Sequence, residues 1–287
     1  MENIEILVPT DLSELGNLAF THAVEFVSQL GGKITPLHVF EESNDLDRIL
    51  GLDDSKPHQK PGMLHRIKDH IAEKAGAVIP AEHLSTPKVI SGAPSEQITK
   101  LGAEMDFIIM TGNKRTGVER ITLGSTAQKV IARSHTPVIV TGSKCNLNEV
   151  KTLLVLTDFS ERSLQAVPHA KALMHRFPEL KTEFVHFVKV GYFTVGNNNK
   201  IIKTAEAEIK KVAAVQFEGF EDRVNSQVFI TSTSSAEAII NLTKSRPYSL
   251  CLMSSIGESK LKSTIIGSTA TSILRSVDTP VLSFRPE

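Results

Sequence analysis

Apolar residues fill positions 4–9 almost without interruption, the signature of a short strand buried on both faces. Beyond a polar break, Leu15, Leu18, Ala19, His22, Ala23, Phe26, Val27 and Leu30 recur at i, i+3, i+4 spacing and predict an amphipathic helix. Ser13 is its expected N-cap and Gly31-Gly32 its stop. The pattern then predicts a strand over 33–40, a surface loop rich in Asp, Gly and Pro over 41–62, and a helix over 63–75. A strand at 87–90, a helix from Ser95, a strand at 107–111, a helix at 126–134 and a last strand near 137–141 follow.

The same order returns. Strands are predicted at 152–156, 181–190, 227–231 and 250–254, with helices at 200–217, from Ala236 and at 269–276, and a loop at 191–199. Val8-Pro9-Thr10-Asp11-Leu12-Ser13 reappears as Val155-Leu156-Thr157-Asp158-Phe159-Ser160, and Leu123-Gly124-Ser125-Thr126-Ala127 as Ile266-Gly267-Ser268-Thr269-Ala270. Leu37-His38-Val39 answers Val185-His186-Phe187, and Thr136-Pro137-Val138 answers Thr279-Pro280-Val281. Several ordered motifs occurring twice imply a tandem duplication. Strands alternating with helices imply α/β domains with parallel, doubly wound sheets, one over 1–142 and one over 151–287, joined by a linker at 142–149. Pro168 falls inside the second copy of the first helix, where it removes a hydrogen bond and should kink the chain.

Composition narrows the function. With 287 residues and 40% hydrophobic positions, the chain can bury two compact cores. Lys plus Arg and Asp plus Glu balance at 32 each, so no overall field attracts nucleic acid or an anionic membrane. No apolar run approaches the roughly 20 residues of a membrane-spanning helix, and no leader pattern opens the chain, so a cytoplasmic location is expected. Cys145 and Cys251 fit a reducing compartment, and no His/Cys spacing suggests a metal site. His38 and His186, mid-strand at equivalent places, are expected to be packing residues. No Ser-His-Asp, Cys-His or paired-carboxylate arrangement supports a catalytic site.

In doubly wound sheets, ligands bind outside the carboxyl ends of the strands. Thr10-Asp11, Val39 and Thr111-Gly112 lie at such ends in the first unit, as do Thr157-Asp158, Phe187 and Ser254-Ser255 in the second. Gly124-Ser125 and Gly267-Ser268 precede helices whose free N–H groups and positive dipole end suit an anion; the alternative is that Gly makes the turn while Ser or Thr caps the helix. Asp11 and Asp158 would repel phosphate but could accept hydrogen bonds from a sugar hydroxyl or a base amine, or could cap the first helix.

These motifs resemble the universal stress protein family in its tandem form, across essentially the whole chain. The resemblance rests on the Thr-Asp-(Leu/Phe)-Ser turn, the Leu-His-Val type second strand, Val89-x-x-Gly92-x-Pro94, and the Gly-Ser helix leading to Thr-Pro-Val. It implies two Rossmann-like domains of the adenine nucleotide alpha hydrolase-like type, each with a five-stranded parallel sheet. It also implies pairing of the units through their last strands, with a homodimer as a further possibility, and ATP, AMP or ADP as ligand, with Mg accompanying ATP.

Family members that bind ATP carry G-x2-G-x9-G-(S/T) after the fourth strand. The first unit has Thr111, Lys114, Gly124 and Ser125 at those places, with Gly112 displaced by one and Thr126 following. The second has Ser254, Gly257, Gly267 and Ser268, followed by Thr269, so Gly257-x9-Gly267-Ser268 is intact. On the base side, Val39, Val89 and Gly92 fit in the first unit, whereas the second offers Phe187, Ile230 and Thr233. The implied role is regulatory, with slow ATP hydrolysis at most. A pseudo-dimeric scaffold without nucleotide stands as the alternative, since each glycine motif is incomplete.

Overall fold

A computed structural model describes residues 3–40, 60–114, 121–190, 198–256 and 266–287. The first half runs β1 (Ile4–Pro9), α1 (Glu14–Leu30), β2 (Gly32–Phe40), α2 (Lys60–Gly76), β3 (Lys88–Ser91), α3 (Pro94–Gly102) and β4 (Phe107–Thr111). A small hairpin, β5 (Asn113–Lys114) and β6 (Ile121–Thr122), precedes α4 (Ser125–Arg133) and β7 (Val138–Thr141). The second half repeats the plan as β8 (Thr152–Thr157), α5 (Glu161–Leu164), α6 (Ala166–Arg176), β9 (Lys181–Lys189), α7 (Asn198–Gln216), β10 (Val224–Thr231), α8 (Ser235–Ser245), β11 (Leu250–Ser254), α9 (Ser268–Ser276) and β12 (Val281–Phe284).

Each half is a five-stranded parallel sheet, in order β3-β2-β1-β4-β7 and β10-β9-β8-β11-β12. In both, the first strand has the second on one side and the fourth on the other, which opens a crevice at their carboxyl ends. The last strands of the two halves pair antiparallel, Val281 with Val140, Leu282 with Ile139 and Ser283 with Val138, making one ten-stranded sheet.

That junction changes where the core lies. Composition suggested one core per unit, but the buried side chains form two clusters, one on each face of the sheet, and each cluster contains residues of both halves. Ile6 and Val8 of β1 enter one cluster and Leu7 the other, as expected of a strand covered on both faces. Phe26 of α1, fully buried, packs edge-on to Phe107 at 5.4 Å and reaches Phe177 of the second half at 5.8 Å. The expected linker is likewise part of the core. Leu147 and Val150 are buried in the cluster that holds Phe26, and Glu25 Oε2 and Gln29 Oε1 accept the N–H groups of Leu147 (2.9 Å) and Val150 (3.1 Å).

Pro168 acts as anticipated. Where the first half has one 17-residue helix, the second breaks at Gln165 into α5 and α6, because proline cannot donate to the carbonyl of Leu164. The hairpin β5–β6 escaped the sequence analysis, because two-residue strands carry no periodicity, and it lies against α9 of the other half. β10 begins three residues earlier than predicted, since Val224, Asn225 and Ser226 continue the ladder to β9. No described helix is long and apolar enough to cross a membrane.

His22 and His169 occupy equivalent places on the first helices of the two halves. His22 is 2% exposed and lies against the backbone of Cys145 near Glu25, while the His169 ring packs on Phe284 at 4.8 Å. Burial lowers both pKa values below the ordinary histidine value of 6.5. The unfolded chain therefore takes up protons first as pH falls. The stabilisation is complete above pH 7 and is lost as pH drops through 6.5 towards the lowered folded values, at up to about 1.4 kcal/mol per pH unit for each histidine. Urea midpoints should fall between pH 7.5 and 5.5, and His22→Phe should flatten that slope; an unchanged slope would assign the pH dependence to other groups.

Candidate functional site

Both crevices are open. In the first half a cavity of about 320 Å³ is lined by Thr10, Asp11 and Ser13 of the β1–α1 turn, by Leu37, His38 and Val39 of β2, by Met110 and Thr111 of β4, and by Gly124, Ser125 and Thr126 at the start of α4. In the second half a cavity of about 340 Å³ has Thr157 and Asp158, Val185 to Phe187, Met253 and Ser254, and Gly267 to Thr269 in the same places.

The turn at the first wall is built identically twice. Thr10 Oγ1 accepts the N–H of Leu12 at 3.0 Å, and Asp11 Oδ1 accepts the N–H and hydroxyl of Ser13 at 3.0 and 2.5 Å. Thr157 and Asp158 do the same for Phe159 and Ser160, at 3.0, 3.1 and 2.5 Å. Ser13 and Ser160 in turn accept the N–H groups of Gly16 and Ser163, capping the helices, as predicted for Ser13. The price of this compact turn is a left-handed backbone at a residue with a side chain: Leu12 and Phe159 both have φ of 64°, a strain of about 1–2 kcal/mol. Asp11 Oδ1 and Asp158 Oδ1 thus serve the turn while both aspartates, being exposed, also line their cavities.

His38 and His186 are packed at the strand ends, and they also line the cavities. Each imidazole Nδ1 lies 2.9 Å from a backbone carbonyl at the end of the first strand, that of Thr10 just past β1 or of Thr157, the last residue of β8. Their recurrence in the repeat was the signal; only the fold shows that mid-strand β2 and β9 positions reach the cavity wall. The hydrophobic floor from Ile98 and Met110, or Ile239 and Met253, was also missed, since its residues belong to helix and strand patterns that read equally well as core.

At the helix end of each cavity, the alternative of a serine cap does not hold. Ser125 and Ser268 do not cap their helices: Gly124 and Gly267 occupy the N-cap position, with φ of −58° and −59° and no side-chain cap bond. The first helical bonds are Gln128 N–H to Gly124 O and Thr271 N–H to Gly267 O, so the three intervening N–H groups of each helix have no intrahelical acceptor. A Cβ added at Gly124 would meet nothing within 4 Å. The glycines leave the helix ends open towards the cavities, where the dipole favours an anion.

Other expected site residues lie elsewhere. Gly92, at φ 131°, donates to Phe40 O, and Gly112 donates to Thr141 O at 2.8 Å; neither lines the cavity. Lys114 is placed as backbone in β5, and Gly257 lies outside the described residues, as do most of the loops at 41–62 and 191–199. Phe187 lines the second cavity and stacks on Phe229 at 5.5 Å, with the Arg246 guanidinium 5.3 Å from the Phe229 ring. The first cavity has the smaller Val39 at that place. Cys251 is buried, which pushes its thiol up to about 12 and leaves it protonated and unreactive.

With this geometry in hand, likeness to known proteins becomes informative. Residues 4–142 and 149–285 each match the universal stress protein family. A universal stress protein of Synechocystis sp. is 25% identical over 98% of this chain and 99% of its own, and one of Methanocaldococcus jannaschii is 27% identical over 49% of this chain and 95% of its own. A crystal structure of a universal stress protein from Archaeoglobus fulgidus superposes with a TM-score of 0.68 at 23% identity, covering 99% of this chain and 96% of that one. Another, from Pseudomonas aeruginosa, gives 0.62 at 15% identity, over 99% and 94%.

Proposed function

We propose a function from one premise: the chain belongs to the universal stress protein family, which both of its halves match. On that premise, each crevice is a binding cleft for an adenine nucleotide, ATP or AMP, and the protein is a cytoplasmic regulator in stress rather than a dedicated enzyme. Residues 1–142 and 151–287 act as two domains, and the join between β7 and β12 serves as a built-in dimer contact. The observation that carries the reading is the paired lining chemistry: an uncapped, glycine-opened helix N-terminus and an exposed aspartate line the same cavity, together with apolar side chains. Phosphates would meet the N–H groups that follow the glycines, those of Ser125, Thr126 and Ala127 or of Ser268, Thr269 and Ala270, and Mg would accompany ATP. The sugar and base would lie towards Asp11 and Val39, or Asp158 and Phe187.

The second cleft is expected to fill first, because it retains Gly257-x9-Gly267-Ser268 and phosphate contacts dominate how a nucleotide is held. Titrating Mg-ATP into the intact chain by calorimetry tests the reading, with saturable binding as the expected result. An absence of binding would favour the scaffold reading, for which the engagement of Asp11 and Asp158 Oδ1 within their own turns is the supporting observation.

A further inference from the structure

We propose that two copies of this chain join edge to edge through β10, antiparallel and related by a two-fold axis perpendicular to the sheet. The inference stands apart from the nucleotide reading. The ten-stranded sheet has two edges, β3 and β10, and they are built differently. β3 has four residues, starts at Lys88 and follows Pro87, and a short strand, an edge lysine and a proline all discourage pairing. β10 has eight residues, Val-Asn-Ser-Gln-Val-Phe-Ile-Thr, with no charge and no proline. Its register to β9 is unbroken from Val224–Thr182 to Thr231–Lys189, so no bulge twists it away. In a parallel pair only alternate residues turn their N–H and C=O towards the neighbour, so the others point outward along the whole edge. The end of the strand also leaves Ile230 53% exposed, one of few large apolar side chains in that state among the described residues.

A second copy fits this edge by symmetry. An antiparallel two-fold keeps each sheet face continuous, so residues opposite one another must lie on the same face. Centred on Gln227, the pairing sets Val224 opposite Ile230, Ser226 opposite Val228 and Asn225 opposite Phe229, while Gln227 meets its own counterpart. Like charges nowhere oppose each other, and valine covers the exposed isoleucine. The same device already closes β7 on β12 within the chain, centred on the Ile139–Leu282 pair. With those last strands occupied by each other, β10 is the long edge left for a partner.

Sedimentation equilibrium across the micromolar range tests the proposal. The wild type should approach twice 31.4 kDa with rising concentration. Gln227→Lys places two like charges at the two-fold axis and should weaken dimerisation at least tenfold, and Gln227→Glu should do the same. An equimolar mixture of the two variants should dimerise again as the opposite charges meet. Unchanged thermal unfolding of each variant establishes that the fold is intact, since an exposed edge strand tolerates charge. A wild type that stays monomeric, a Gln227→Lys variant that dimerises as the wild type does, or a mixture that fails to reassociate overturns the pairing.

Discussion

Gly267→Val is expected to weaken Mg-ATP binding by about ten- to a hundredfold, roughly 1.4–2.8 kcal/mol, with little change in thermal unfolding. The glycine sits at the N-cap of α9, where a phosphate oxygen has to approach within hydrogen-bond distance of the N–H groups of the first turn. A branched side chain there occupies the approach path. The backbone itself, at φ −59°, is open to any L-residue, so the fold should not suffer. Gly124→Val makes the parallel test in the first cleft, where an added Cβ meets nothing within 4 Å. Its effect should be confined to the weaker class of sites if the second cleft fills first. Equal affinity in wild type and Gly267→Val would show that this helix end is only a cap, and loss of the tighter site in Gly124→Val alone would reverse the ranking.

Truncating Phe26 to alanine should cost about 3–5 kcal/mol and lower the melting temperature by on the order of 10 °C, the largest stability effect anticipated. The ring is fully buried between Phe107 of its own half and Phe177 of the other, in the cluster that also holds Leu147 and Val150. Its removal leaves a cavity where the halves meet, and their shared clusters should unfold together. A single transition shifted downward is therefore the expected calorimetric trace. Two resolved transitions, one near the wild-type temperature, would mean that the halves are energetically separate despite the common core.

Much of the frame was legible in the sequence. The period-3.6 run from Leu15 to Leu30, the apolar strands, the Ser13 cap, the Pro168 break and the twofold recurrence of Thr-Asp-x-Ser and Gly-Ser placed the elements and both clefts, because local backbone preferences and burial patterns act over a few residues. The fold brings seven of the expected residues to each cleft, from Thr10 to Thr126 in the first and from Thr157 to Thr269 in the second. Gly92 and Gly112 were implied by the family resemblance, but their N–H groups are bonded to Phe40 O and Thr141 O, a choice made by strand register.

Other features arose only when distant segments met. The antiparallel contact of β7 with β12 fused two expected cores into one per sheet face and drew the linker into one of them. Placement of glycine rather than serine at the N-caps of α4 and α9 decided that both helix ends stay open. The sequence by itself determined which elements form and that they form twice, since each is stabilised by contacts within a few turns or by a periodic apolar face. Which side chains share a cleft, where the cores lie and which strand remains an unpaired edge were decided by tertiary structure alone, because burial is a property of packed surfaces and no residue carries it in isolation.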